Sequence, residues 1–126
     1  MSKILGIGVD VVDVQRMKDV LEKQGKVFLD KVFSDMEVTY CKTRRKPYIH
    51  FGARFAAKEA VAKAMRTGWS GAFHWRDIEV VNDQSGAPHI LLSRDVAKAL
   101  DQCTVHLSLS HTDNTIVAFV VLESKK

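Results

Sequence analysis

Arg54-Phe55-Ala56-Ala57-Lys58-Glu59-Ala60-Val61-Ala62-Lys63-Ala64 is the stretch on which the fold turns. With Ala53 it is rich in the best helix former, and its small side chains let another backbone come close. Pro47 suits a first helical turn, which predicts one long helix to about Thr67 with Gly68 as its left-handed stop. Phe55, Glu59, Ala62, Lys63 and Arg66 share one face of it. Upstream, residues 4–12 are rich in β-branched side chains and read as a buried strand, with Gly6, Gly8 and Asp10 on one face. That face is a bare backbone floor beside a carboxylate.

The segments between and beyond complete the order of elements. Asp13 caps a helix carrying Val14, Met17, Val20 and Leu21, which Gly25 stops. A short apolar piece spans residues 27–33. Ser34 and Glu37 form a capping box that starts a helix running into the basic stretch 42–46. After a loop at 69–73, residues 75–81 alternate as a strand, 83–86 turn, and 88–92 return. Ser93 caps a short helix through Ala97 and Leu100. Val105, Leu107 and Leu109 alternate with polar residues, and 112–114 turn into a last strand, 115–122, which alternates poorly and reads as buried on both faces. Helices and antiparallel pairs are segregated, so the class is α+β, with one long helix packed on antiparallel strands.

Size and charge bound the function. A chain of 126 residues makes one domain, residues 1–126, which buries roughly 65% of its unfolded surface. A net charge of +4 suggests acidic partners or phosphate-bearing ligands but falls short of declaring a nucleic-acid binder. Cys41 and Cys103 are far apart, which argues against a disulfide scaffold or zinc ribbon. The N-terminus holds no apolar signal core, and the longest apolar run, 116–122, is far below the ~20 residues of a membrane helix. The expectation is a soluble cytoplasmic protein that touches neither membrane nor nucleic acid.

Familiar chemical motifs are absent. Gly6-Ile7-Gly8 fails as a dinucleotide fingerprint because its third glycine would be Val11. The five histidines lack metalloprotease spacing, and Ser108 and Ser110 lack the glycines of a nucleophile elbow. What remains is oxygen ligands and bases. A carboxylate such as Asp10 near the end of a buried strand is costly unless paired or bound to a cation. An Asp and a Glu without nitrogen or sulfur ligands suit Mg²⁺ that shares phosphate oxygens with a substrate. Plainer readings stand beside these: a Glu59–Lys63 surface ion pair, Asp10 as a strand-end cap, 42–46 as a solvated face and His111 as a structural residue.

Taken together, residues 6–14, 54–64 and Ser108-Leu109-Ser110-His111-Thr112 resemble the holo-acyl-carrier-protein synthases, a family of 4′-phosphopantetheinyl transferases. Residues 75–80 and Gly86-Ala87-Pro88 match that family's central hairpin, so the resemblance spans essentially the whole chain in order. It implies the phosphopantetheinyl transferase fold and transfer of the phosphopantetheine arm of coenzyme A to a serine of apo acyl carrier protein, in fatty acid biosynthesis. It further implies Asp10 and Glu59 as Mg²⁺ ligands, and Lys63 as the charge facing the pyrophosphate. Glu59 and Lys63 become the catalytic pair, with Glu59 taking the serine proton directly or through a water. Arg54, His111 and Arg45 or Lys46 would hold the nucleotide and its 3′-phosphate, and Arg16 would dock the acidic carrier. The family implies a homotrimer in which Asp10, Glu59 and Lys63 come from one subunit and His111 from its neighbour. The chain departs from the family at Arg66-Thr67-Gly68, where Gly-Thr-Gly is usual. A basic nucleic-acid module would leave Asp10 and Glu59 unexplained. A silent carrier-binding subunit would keep Arg16 without needing the carboxylate pair.

Overall fold

The structure is a computed structural model that describes residues 2–66 and 73–125. Its elements are β1 (Ile4–Asp13), α1 (Val14–Gln24), α2 (Lys26–Val32), α3 (Asp35–Lys42) and α4 (Pro47–Ala64). They continue with β2 (Ile78–Asn82), β3 (Pro88–Leu92), α5 (Arg94–Ala99), β4 (Cys103–His111) and β5 (Thr115–Ser124). The class is α+β, as the segregation of helices and hairpins implies. An antiparallel sheet in the order β1-β5-β4 packs on α4, and β2 and β3 form a separate hairpin.

The local signals act as their chemistry requires. Asp13 caps α1 by accepting the Gln15 amide at 3.0 Å. Gly25 ends it at φ 50°, its N–H donating to the Leu21 carbonyl. Ser34 and Glu37 close their capping box. The apolar piece after Gly25 is helical, as α2.

Packing centres on α4. Ala56, Ala57, Ala60, Val61, Ala62 and Ala64 are all buried. A Cβ on Gly6 would collide with the Ala64 carbonyl oxygen, and one on Gly8 with that of Ala60. The bare floor is therefore covered: the glycines let a helix, rather than a ligand, meet the strand.

Three readings change. The strand expected over 75–81 starts only at Ile78, because Trp75–Asp77 is a 3₁₀ turn. There the Trp75 carbonyl accepts from the buried Lys58 ammonium, as does that of Ile78, where β2 begins its pairing with β3. The long helix ends at Ala64, earlier than Thr67; Arg66 follows at φ 66°, and Gly68 and Trp69 lie outside the described residues. Finally, β5 is central but within this chain buries only one face. Ile116, Ala118, Val120 and Leu122 point at α4, while Phe119 on the other face is 43% exposed.

Candidate active site

The register of β1 against α4 builds the first half of the site. Two strand residues advance about 6.6 Å and four helical residues about 6 Å, so glycine steps along β1 match turns of α4. Gly6 meets Ala64 and Gly8 meets Ala60, so Asp10, next on that face, arrives beside the turn that carries Glu59. Helical side chains lean toward the N-terminus, which brings Lys63 back to the same place. Its Nζ lies 2.9 Å from Asp10 Oδ1 and 3.0 Å from the Val9 carbonyl. Lys63 is thus paired with Asp10 across elements, and the expected helix-surface pair with Glu59 is not the one formed.

Glu59 is left short of partners. Its Oε1 is buried and accepts no hydrogen bond. Burial, and then the negative charge of Asp10, push its carboxyl above the usual value, and Lys63 opposes them. A buried carboxylate oxygen without a donor, beside a second carboxylate, fits a divalent cation. Among the described residues no group of three or more metal-ligating side chains forms. A cation held by this pair would complete its shell with water and phosphate oxygens, as Mg²⁺ does. The carboxylates open on a cavity of about 480 Å³ that is also lined by Asp13, Arg16, Phe28 and Phe55. Arg16 is exposed there, on α1.

A second cavity, of about 320 Å³, lies elsewhere and shares no lining residue with the first. Arg54, 3% exposed, donates from Nη2 to Asn82 Oδ1 at 2.8 Å, while its Nε is buried without an acceptor. Its guanidinium lies 4.4 Å from the centre of the Tyr40 ring, and that of Arg44 lies 4.2 Å away. His111, at the end of β4, lines the same cavity. The tertiary structure therefore brings Arg54 and His111 to one cavity and Asp10 and Glu59 to another. Arg45 and Lys46 are exposed and do not line this cavity. Of the basic run, Arg44 stacks on the cavity's Tyr40, and no spacing rule singled it out.

Sequence reading also passed over Lys58. Its side chain is fully buried, with Nζ 2.8 Å from Glu37 Oε1 and 2.9 Å from the Val32 carbonyl. Glu37 accepts from the Ser34 and Val80 amides as well. This ion pair ties α2, α3, α4 and β2 together behind the site. The signal was present in the capping box, whose Glu ordinarily faces solvent but here has no exposed surface to use.

Known proteins share this sequence pattern and this fold. The family model of the 4′-phosphopantetheinyl transferase superfamily (ACPS) matches residues 6–120. A holo-[acyl-carrier-protein] synthase of Syntrophus aciditrophicus is 42% identical over 96% of this chain and 97% of its own. The crystal structure of a holo-[acyl-carrier-protein] synthase from Neisseria meningitidis superposes with a TM-score of 0.88 at 35% identity, covering 95% of this chain and 98% of that one. The Bacillus anthracis synthase, solved in complex with CoA (3′,5′-ADP), gives 0.82 at 36% identity over 96% and 97% of the two chains. By sequence over nearly its whole length and by fold, the chain belongs to the 4′-phosphopantetheinyl transferase superfamily, among the holo-[acyl-carrier-protein] synthases.

Proposed function

We propose that residues 1–126 act as one Mg²⁺-dependent enzyme domain that moves the phosphopantetheine arm of coenzyme A to a serine hydroxyl of apo acyl carrier protein, releasing adenosine 3′,5′-bisphosphate. The observation that carries this reading is the unpartnered buried oxygen of Glu59 beside the Asp10–Lys63 pair. Asp10 and Glu59 would hold Mg²⁺, whose charge would offset that building on the pyrophosphate oxygens during transfer. The serine oxygen bonds to the β-phosphorus of coenzyme A as the bond to the bridging oxygen breaks. Lys63, already oriented at the carboxylates, faces the oxygens that gain charge. Glu59 takes the serine proton, directly or through a water, and its raised pKa suits a proton acceptor. Arg16, exposed at the mouth of the carboxylate cavity, meets the acidic carrier.

The nucleotide falls to Arg54 and His111, and Arg45 or Lys46 would add charge toward its phosphates. A complete site would draw on two subunits of a homotrimer, as the family resemblance implies, and the separation of this cavity from the carboxylates is consistent with that. Support comes from the apolar outer face of the sheet, where Ile7, Val9 and Val11 are 61%, 49% and 63% exposed beside Phe119. A cytoplasmic place in fatty acid biosynthesis goes with this reading.

The test is to incubate the protein with coenzyme A, Mg²⁺ and apo carrier, and to weigh the carrier by mass spectrometry. The expected result is gain of one phosphopantetheine, abolished by chelator and by Asp10→Ala or Glu59→Ala, each costing about 10²-fold or more. A carrier that binds yet keeps its mass identifies a silent binding subunit instead.

A further inference from the structure

The cavity that holds Arg54 and His111 contains a second histidine. His50 lies on α4 four residues before Arg54, on the same helical face, and lines the cavity wall. Its ring stands edge-on to Tyr40, with centroids 5.9 Å apart at 75°. The groups around it come from every neighbouring element: Arg54 from α4, Tyr40 from α3 with Arg44 just beyond it, Asn82 from β2 and His111 from β4. Among the described residues no carboxylate lines the cavity. The nearby hairpin acid, Asp83, is taken up by Ser85 and His89. A cavity lined by the Arg54 guanidinium and two imidazoles, with no acid among its described lining residues and with the Arg54 Nε–H buried and lacking an acceptor, is short of an anion.

We propose that His50 is a further binding residue for a phosphomonoester in this cavity, donating to the phosphate as an imidazolium that forms when the anion arrives. The inference rests on the reading that the cavity takes the 3′-phosphate of the nucleotide. In the free protein His50 is held below its usual value, first by burial and then by the charges of Arg54, Arg44 and His111. Neutral imidazole is then the resting form near neutral pH. A dianionic phosphate reverses the local sign and favours the protonated ring, so binding draws one proton from solvent to His50. No covalent bond changes.

The experiment is calorimetric titration of adenosine 3′,5′-bisphosphate, and of adenosine 5′-monophosphate as the probe lacking the 3′-phosphate. It is run near pH 6 and pH 8 in buffers of different ionisation heat. Wild type is expected to take up a proton with the bisphosphate and none with the monophosphate. In His50→Gln that uptake is lost, and affinity for the bisphosphate falls about tenfold near pH 6 and much less near pH 8. His50→Phe keeps an aromatic edge on Tyr40, so it should behave as His50→Gln if charge is what matters. Unchanged uptake and affinity in both variants assign the proton to His111 or the phosphate and overturn the proposal. Arg54→Gln distinguishes the underlying reading: if it and the wild type bind both nucleotides equally well, the cavity is not the phosphate site at all.

Discussion

At the scale of the residue, Glu59 carries a pH signature that follows from its geometry. Its folded-state pKa is raised above the ordinary 4.5. Below that value both folded and unfolded chains hold the proton and Glu59 costs nothing. As pH rises from there through the folded value, the unfolded chain ionises first and stability is lost. Metal-free Glu59→Gln should therefore melt above wild type at pH 8 and level with it near pH 4, by calorimetry in chelator. Mg²⁺ should raise the melting temperature of wild type and leave the variant unmoved. A wild type that melts above the variant in chelator at pH 8 would show that Glu59 is paired after all. Lys58 makes the contrasting case. Truncating it to Ala strands Glu37 as a buried charge, which should cost about 3–5 kcal/mol in chemical denaturation. The double change Lys58→Met with Glu37→Leu should recover much of that loss.

At the scale of the element, the contact of β1 with α4 sets both stability and the spacing of the site. Because the Cβ of an alanine at Gly8 would strike backbone, neither partner can turn aside, and the helix itself must shift. Gly8→Ala should cost about 1–3 kcal/mol or more by denaturant titration. Since Asp10 rides on β1 while Glu59 and Lys63 ride on α4, the same shift should weaken Mg²⁺-dependent turnover in whatever fraction stays folded. Stability lost with turnover per folded molecule intact would mean that the carboxylates do not depend on this contact. The far end of α4 shows a departure of another kind. Arg66 stands at φ 66°, a conformation glycine adopts freely, at the place where the resemblance implied a glycine. The chain bears a backbone strain there that a glycine would not.

At the scale of the whole molecule, the separation of the two cavities decides the most. Asp10→Ala and His111→Ala, each weak alone, should regain part of the activity when unfolded together and refolded as a mixture. Some interfaces would then pair an intact carboxylate cavity with an intact nucleotide cavity. Mixed trimers seen by mass spectrometry without recovered activity would defeat the shared-site reading. Val9→Asp, on the apolar outer face, should give monomers by light scattering and lose turnover together with assembly.

Much was legible in the sequence because its signals are local. Asp13, Gly25, Ser34 with Glu37, and Pro47 mark helix ends through hydrogen bonds that reach only a few residues. The two-residue period put Asp10 on the glycine face, and the helical period put Glu59 and Lys63 together. The resemblance through which the site was read rested on the motifs at residues 6–14, 54–64 and 108–112. What the tertiary structure alone decided depends on partners far along the chain. Lys58 took the Trp75 carbonyl within the 3₁₀ turn, Asp10 took Lys63 from Glu59, and Tyr40 gathered Arg44 and Arg54 while Arg45 and Lys46 stayed outside. In each case a charge chose between neighbours that sequence spacing leaves equivalent, and only the packing of α4 against strands from both ends of the chain determined which one lay within reach.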